Sequence, residues 1–296
     1  MFAFFLFLAA APFSQLLADA QAQDAGVAAI AYRLQVSGLP LCPSPVPLTG
    51  LLIHDLGQYP RSQRAAAQGQ FGLGDFPAIL AIVPGSAAAR AGLMVGDAIV
   101  AIDGVPVPRG RSDFVETALD RALAAPPADV SIRRAGVAMM IRLTGALGCP
   151  SRVQVIPGKA LTRQADGTYV QITGAVLDEV VSDDELAGIL AHELAHNILK
   201  HRLWLDRHGR STQNILKTEI EADKLSVYLV AQAGYDPLAP AQFRARFGKK
   251  SGFGIFSDGT HEHTAARVVT LTTVAREIAA KRAAGKAIVP DYPLTQ

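Results

Sequence analysis

The sequence has no block of lysine and arginine. Its 28 basic and 26 acidic residues almost cancel, for a formal charge of +2. A nucleic-acid-binding surface needs a basic stripe, so partnership with nucleic acid is excluded. No apolar run approaches the roughly 20 residues that cross a bilayer. The longest runs from Phe2 to Ala11 and ends at Pro12. There is no internal repeat and no low-complexity tract. Cysteine occurs only twice, at Cys42 and Cys149, and neither lies near the N-terminus, which argues against a lipid-modified cysteine anchor.

What the N-terminus does have is an apolar run followed by small residues, with Ala20-Gln21-Ala22 matching an A-x-A cleavage pattern. Residues 1–22 are therefore expected to be a secretory signal peptide. They contain no Lys or Arg, so an uncleaved N-terminal anchor is the alternative. The remainder is expected to be exported, periplasmic or secreted, and soluble, with no integral membrane domain after cleavage. In that compartment the two cysteines are expected to form one disulfide. It would close a loop of roughly 107 residues, which loop-closure entropy values at about 4–5 kcal/mol.

The 296 residues suffice for two modest domains. A helix is predicted at 25–39, followed by the Pro-rich stretch "CPSPVPLTG". From about residue 50 to 145, short apolar runs alternate with glycine turns. They include a hairpin turn at Ala135-Gly136 and one helix over 112–125, capped by Ser112 or Asp113 and stopped by Pro126-Pro127. Within this region Pro84-Gly85-Ser86, Ala88, Ala91-Gly92-Leu93, Gly96-Asp97, Ile99 and Asp103-Gly104 resemble a PDZ domain of the type found in bacterial proteases. The resemblance implies a peptide groove between a strand at 50–58 and the 112–125 helix. The turn at Gly50, Leu51 and Leu52 would offer N–H groups to a C-terminal carboxylate.

Residues 150–296 read as a second domain, with strands around a turn at Asp166-Gly167, then helices at about 183–204, 212–233 and 264–284. Ser182-Asp183-Asp184-Glu185 forms an S-x-x-E capping box at the start of the first helix. On that helix His192 and His196 are four residues apart, about 40° around the axis, so both rings reach one point. That geometry suits two zinc ligands, and Glu193 is placed as a general base toward a metal-held water. A catalytic zinc needs a third protein ligand. Glu219 on the next helix can supply it, with Asp223 one turn on to hydrogen-bond a ligand histidine. Glu221 competes for the role, but it lies about 200° around the helix from Glu219.

These motifs, with His201 following and Thr260-His261 and Arg267 downstream, resemble the HtpX/BepA-like gluzincin metallopeptidases. That family includes the CAAX prenyl proteases and Oma-type proteases. The resemblance covers about residues 150–290. It implies one zinc per chain on His192, His196 and Glu219, Glu193 as the base, and His261 as oxyanion stabiliser. Arg267 would support that region or hold its helix by an ion pair. The family's usual proline after this histidine is Glu262 here. The remaining histidines read as structural or surface groups, and His201 is expected to point away from the metal.

The expected fold is α+β: a mainly helical gluzincin metallopeptidase domain with a small β-sheet, plus an inserted, mostly-β PDZ domain. Boundaries are expected at 23–47 for a helix packing on the peptidase domain, 48–148 for the PDZ domain and 149–296 for the peptidase. The expected function is hydrolysis of unfolded or exposed polypeptides. A PDZ-based binding or scaffold protein with a latent zinc domain is the alternative.

Overall fold

A computed structural model describes residues 11–247 and 261–292. The fold is α+β, as expected, and divides into two compact units. Among the described residues, one joins 11–29 with Val46–Leu147. The other joins Ile30–Pro45 with those from Gly148 onward. Among the described residues no helix is long and apolar enough to cross a membrane.

The N-terminal helix α1 (Ala11–Ser37) starts well before the predicted residue 25. Pro12 lies in its first turn, where a missing N–H costs nothing. The helix divides between the units. In the first, Leu17 is buried in a cluster with Ala67, Leu73 and Ala78, against which Phe13 and Tyr59 pack. Gln21 Nε2 donates to the Leu80 carbonyl at 2.6 Å. All of these helix residues precede the expected cleavage point after residue 22. From Ile30 the helix belongs to the second unit, with Leu34 fully buried.

The first unit continues through β1 (Val46–Leu48), β2 (Leu51–His54), α2 (Arg64–Phe71), β3 (Ala78–Ile82), α3 (Ala87–Ala91), β4 (Ala98–Ile102), β5 (Val105–Pro106), α4 (Ser112–Ala122), β6 (Ala128–Arg134), β7 (Val137–Leu143) and β8 (Ala146–Gly148). Its six-stranded sheet runs β2-β3-β4-β6-β7, with β5 on β4, while β1 pairs β8. Along β6 the buried residues Ala128, Val130 and Ile132 alternate with less buried ones, the period-two pattern of a strand with one face on the core. They pack with Ile79, Ile99 and Val115. The predicted hairpin is present. Ala135 and Gly136 both have positive φ (48° and 83°), as a two-residue turn between right-twisting strands requires.

Helix α4 is not capped by Ser112 or Asp113. Asp55, 57 residues earlier, does this: its Oδ2 accepts from the Ser112 N–H at 2.8 Å, and its Oδ1 from Gly57 at 2.6 Å. Burial raises the Asp55 pKa, but these donors outweigh burial and hold it below the ordinary aspartate value. The sign follows: stability from Asp55 is present at neutral pH and lost as pH falls through its depressed pKa. Denaturant midpoints measured across the acid range should fall less steeply below about pH 4 for Asp55→Asn than for wild type. Equal slopes would show that Asp55 is not coupled to folding.

The second unit carries β9 (Arg152–Ile156), β10 (Arg163–Ala165), β11 (Tyr169–Thr173), α5 (Gly174–Leu177), α6 (Asp183–Ile198), α7 (His201–His208), α8 (Thr212–Gln232), α9 (Ala239–Phe247) and α10 (His261–Ala283). Its sheet runs β10-β11-β9, with β9 parallel and β10 antiparallel to β11. The turn at Asp166-Gly167 joins β10 to β11 and not, as predicted, the two longer runs. Asp166 Oδ1 accepts from the N–H groups of Thr168 and Tyr169. Helix α6 starts where predicted, with Ser182 Oγ accepting from the Glu185 N–H. It ends at Ile198, short of the predicted 204, because Lys200 takes a left-handed conformation (φ 52°) before α7. Glycine at 188 lets α9 approach α6, since a Cβ there would meet Pro240 Cγ at 3.0 Å.

The disulfide forms between Cys42 and Cys149, both in the second unit. Gln35 Nε2 donates to the carbonyls of Cys149 and Ser151 beside it. Replacing both cysteines by serine should cost about 2–5 kcal/mol, read as a lower denaturant midpoint. An unchanged midpoint would show that the link does not stabilise the fold.

Candidate metal centre

Helices α6 and α8 pack together and bring three ligand-type atoms to one point. His196 Nε2 lies 3.2 Å from His192 Nε2. Glu219 Oε2 is 3.4 Å from His192 Nε2, and Glu219 Oε1 is 3.3 Å from His196 Nε2. A tetrahedral zinc with bonds of about 2.0–2.1 Å separates its ligand atoms by about 3.3–3.4 Å. The triangle therefore already has the size zinc requires, and two imidazoles with one carboxylate are a donor set that leaves a fourth position open. Among the described residues this is the group of His, Cys, Asp or Glu side chains able to hold a metal ion.

A second layer fixes how these ligands face the centre. Asp223 Oδ1 lies 3.0 Å from His192 Nδ1, which directs the proton there and frees Nε2. Arg267 grips Asp223 with two hydrogen bonds, at 2.6 and 2.7 Å, and reaches Glu219 Oε2 at 2.8 Å. Of the two roles expected for Arg267, the described contacts are those of the ion pair. Burial raises the Asp223 pKa, but Arg267 and His192 outweigh it and hold the carboxylate far below its usual range. Glu219 is likewise held well below its usual value by the two histidines, against its burial. Burial lowers the His192 pKa, yet Asp223 and Glu219 together raise it above the ordinary value. Protons therefore compete with a metal for this ring.

His201 does not point away, as the sequence reading had it. The break at Lys200 turns it back, buried, so that its Nδ1 lies 2.9 Å from His196 Nδ1. Its Nε2 is 3.3 Å from Glu221 Oε2. Burial first, and His196 second, push its pKa down to about 3, so it is neutral. If His196 coordinates through Nε2, its Nδ1–H donates to His201, whose Nε2–H then faces Glu221. Glu221, the competing ligand in the sequence, thus serves the outer end of this chain.

Glu193 is buried with its Oε1 3.3 Å from Arg163 Nε on β10. Sequence reasoning missed Arg163, because nothing near a three-residue edge strand signals a buried partner for a helix 30 residues on. His261 begins α10, but its side chain lies outside the described residues. Asn197 anchors α6 under the sheet: its Oδ1 accepts from Gly167 N–H, and its amide donates to Ser151 Oγ and the Tyr169 carbonyl. His54 is buried with Nδ1 2.8 Å from the Tyr59 hydroxyl, and His208 is exposed and stacked on Trp204.

In the first unit, Gly50 has φ 76° and precedes β2, an edge strand whose sheet partner is β3. Leu51 belongs to this strand, and Thr49 Oγ1 accepts its N–H. The outer edge of β2 is the side on which an extended peptide would add. Helix α4 packs alongside β2.

Residues 79–122 match the family model of the PDZ domain, and residues 160–216 match that of Peptidase family M48. The second match includes His192, Glu193 and His196 and stops before Glu219. Together the matches support a metallopeptidase with a PDZ domain. No curated protein matches the chain. Among solved structures, the crystal structure of the HtrA3 PDZ domain bound to a phage-derived ligand is similar at 17% identity. The likeness covers 35% of this chain and 88% of that one, with a TM-score of 0.28.

Proposed function

We propose that the chain is an exported, zinc-dependent metalloendopeptidase of the HtpX/BepA-like kind, acting on unfolded or exposed polypeptides in envelope protein processing or quality control. The peptidase domain is residues 149–296. The PDZ domain, residues 48–148, captures a peptide C-terminus at Gly50, Leu51 and Leu52. The observation that carries this reading is the zinc-sized triangle of His192, His196 and Glu219 beside a buried Glu193 that is not one of its members.

One zinc ion held there would supply Lewis acidity and a water acidic enough to ionise near neutral pH. With the ion bound, Glu193 would serve as the general base and acid, taking a proton from the attacking water and handing it to the leaving amine. Arg163 holds the Glu193 carboxylate in place. Asp223 and His201 keep the two ligand imidazoles in the tautomer that presents Nε2. His261 is assigned to the developing oxyanion on family resemblance. Strand β10 is an edge strand of its sheet and lines a cleft with Gln164 and Ala165 beside His196 and Glu219, so an extended substrate can align there by strand addition.

The test is metal removal. Phenanthroline treatment should abolish cleavage of casein, and zinc should restore it where magnesium does not. Cleavage that survives complete zinc removal would end the reading.

A further inference from the structure

Three carboxylates face the centre, two of them buried and Glu219 partly so, and arginines already claim each of them. Asp223 and Glu219 are taken by Arg267, and Glu193 faces Arg163. A third arginine stands beside them. Arg244, on α9, lines a small cavity with His192, Arg163, Ile189, Phe243 and Phe247. Its free volume of about 30 Å³ holds about two waters, the room of one carboxylate group. Among the described residues Arg244 has neither a hydrogen bond nor an ion pair. Burial first, and Arg267 second, push its pKa down to about 9, so it stays charged at neutral pH. Asp223 lines the same cavity and, with Glu219, attracts Arg244 through space, but neither bonds it. A half-buried guanidinium whose N–H groups meet no acceptor is a place where an incoming ligand can supply one.

We propose that Arg244 receives a carboxylate of the substrate, either an acidic side chain beside the scissile bond or the peptide's own C-terminus. The proposal rests on the peptidase reading and names the substrate class for that site. The guanidinium is a fork suited to two hydrogen bonds from one carboxylate. Because the cavity is lined by His192, the accepted group lies next to the ligand triangle.

The test uses zinc-loaded Glu193→Gln protein, so that binding is read without turnover. Labelled peptides are compared in pairs: Glu against Gln in the chain, and free against amidated C-terminus. Anisotropy titrations should give roughly 10–100-fold tighter binding for one member of a pair, the range of a charge-assisted hydrogen bond. Adding Arg244→Gln should bring that ratio close to one, and Arg244→Lys should restore part of it. The pair that responds to residue 244 identifies the source of the carboxylate. A preference unchanged by Arg244→Gln belongs to the PDZ groove and overturns the proposal, as does no preference or no binding at all. Thermal unfolding gives an independent reading. Arg244→Gln removes a half-buried charge for which burial and the neighbouring arginines outweigh the attraction of Asp223 and Glu219, so it should raise the midpoint, whereas a lower midpoint would show a structural partner and overturn the proposal. Wild-type protein that cleaves nothing would defeat the peptidase reading, while the binding ratios still decide the role of Arg244.

Discussion

Glu193→Gln should lower kcat for peptide cleavage by roughly 10²–10⁴, the usual worth of a positioned general base, while zinc stays bound. Glutamine keeps the shape of the side chain but cannot take a proton at neutral pH. Glu193 is outside the ligand triangle, so the variant keeps His192, His196 and Glu219 intact. The substitution also leaves Arg163 without its carboxylate, 3.3 Å away in wild type. Some loss of stability should therefore accompany the loss of rate. Elemental analysis of the same preparation separates the two roles. Zinc lost along with activity would make Glu193 a ligand, and activity retained would remove it from the chemistry.

Arg267→Met should be the most destabilising single change near the centre. Its guanidinium is buried and holds Asp223 and Glu219 together. Removing one partner of a buried pair typically costs about 3–5 kcal/mol, because the remaining charges are left uncompensated. A bound divalent cation would offset part of that for Glu219, so the loss should be larger in metal-free protein. Loss of an outer contact of this kind also weakens metal affinity by about 10–100-fold. Urea unfolding with and without zinc reads both effects. Adding Asp223→Asn should recover part of the stability, since it removes one of the stranded charges. Equal stability of Arg267→Met and wild type would show that the charge network contributes nothing.

What could be read from the sequence was what depends on neighbours along the chain. The start of α6 follows from Ser182, the shared face of His192 and His196 from helical period, and the β6–β7 turn from Ala135-Gly136. The pairing of Cys42 with Cys149 was legible because there is no third cysteine. What was hidden depends on groups far apart in sequence. Asp55 caps α4 from 57 residues away, so the local candidates Ser112 and Asp113 were misleading. The break at Lys200 has no glycine or proline to announce it, and without it His201 would not reach His196. Strand β10 is three residues long, too short for a periodic signal, yet it carries the arginine that faces Glu193. Arg244 has the same origin: its place at the centre depends on α9 packing close against α6 at Gly188, a tertiary fact. The N-terminal helix was read as starting late because a signal-like composition and a helix that packs on its own unit use the same small and apolar residues.

The account stands on the three-atom triangle, and diffraction at the zinc absorption edge tests it most directly. Crystals of the purified protein should give one anomalous peak per chain, within about 2.0–2.2 Å of His192 Nε2, His196 Nε2 and a Glu219 oxygen. An anomalous map with no peak between these atoms, or with its peak on other residues, would contradict the account.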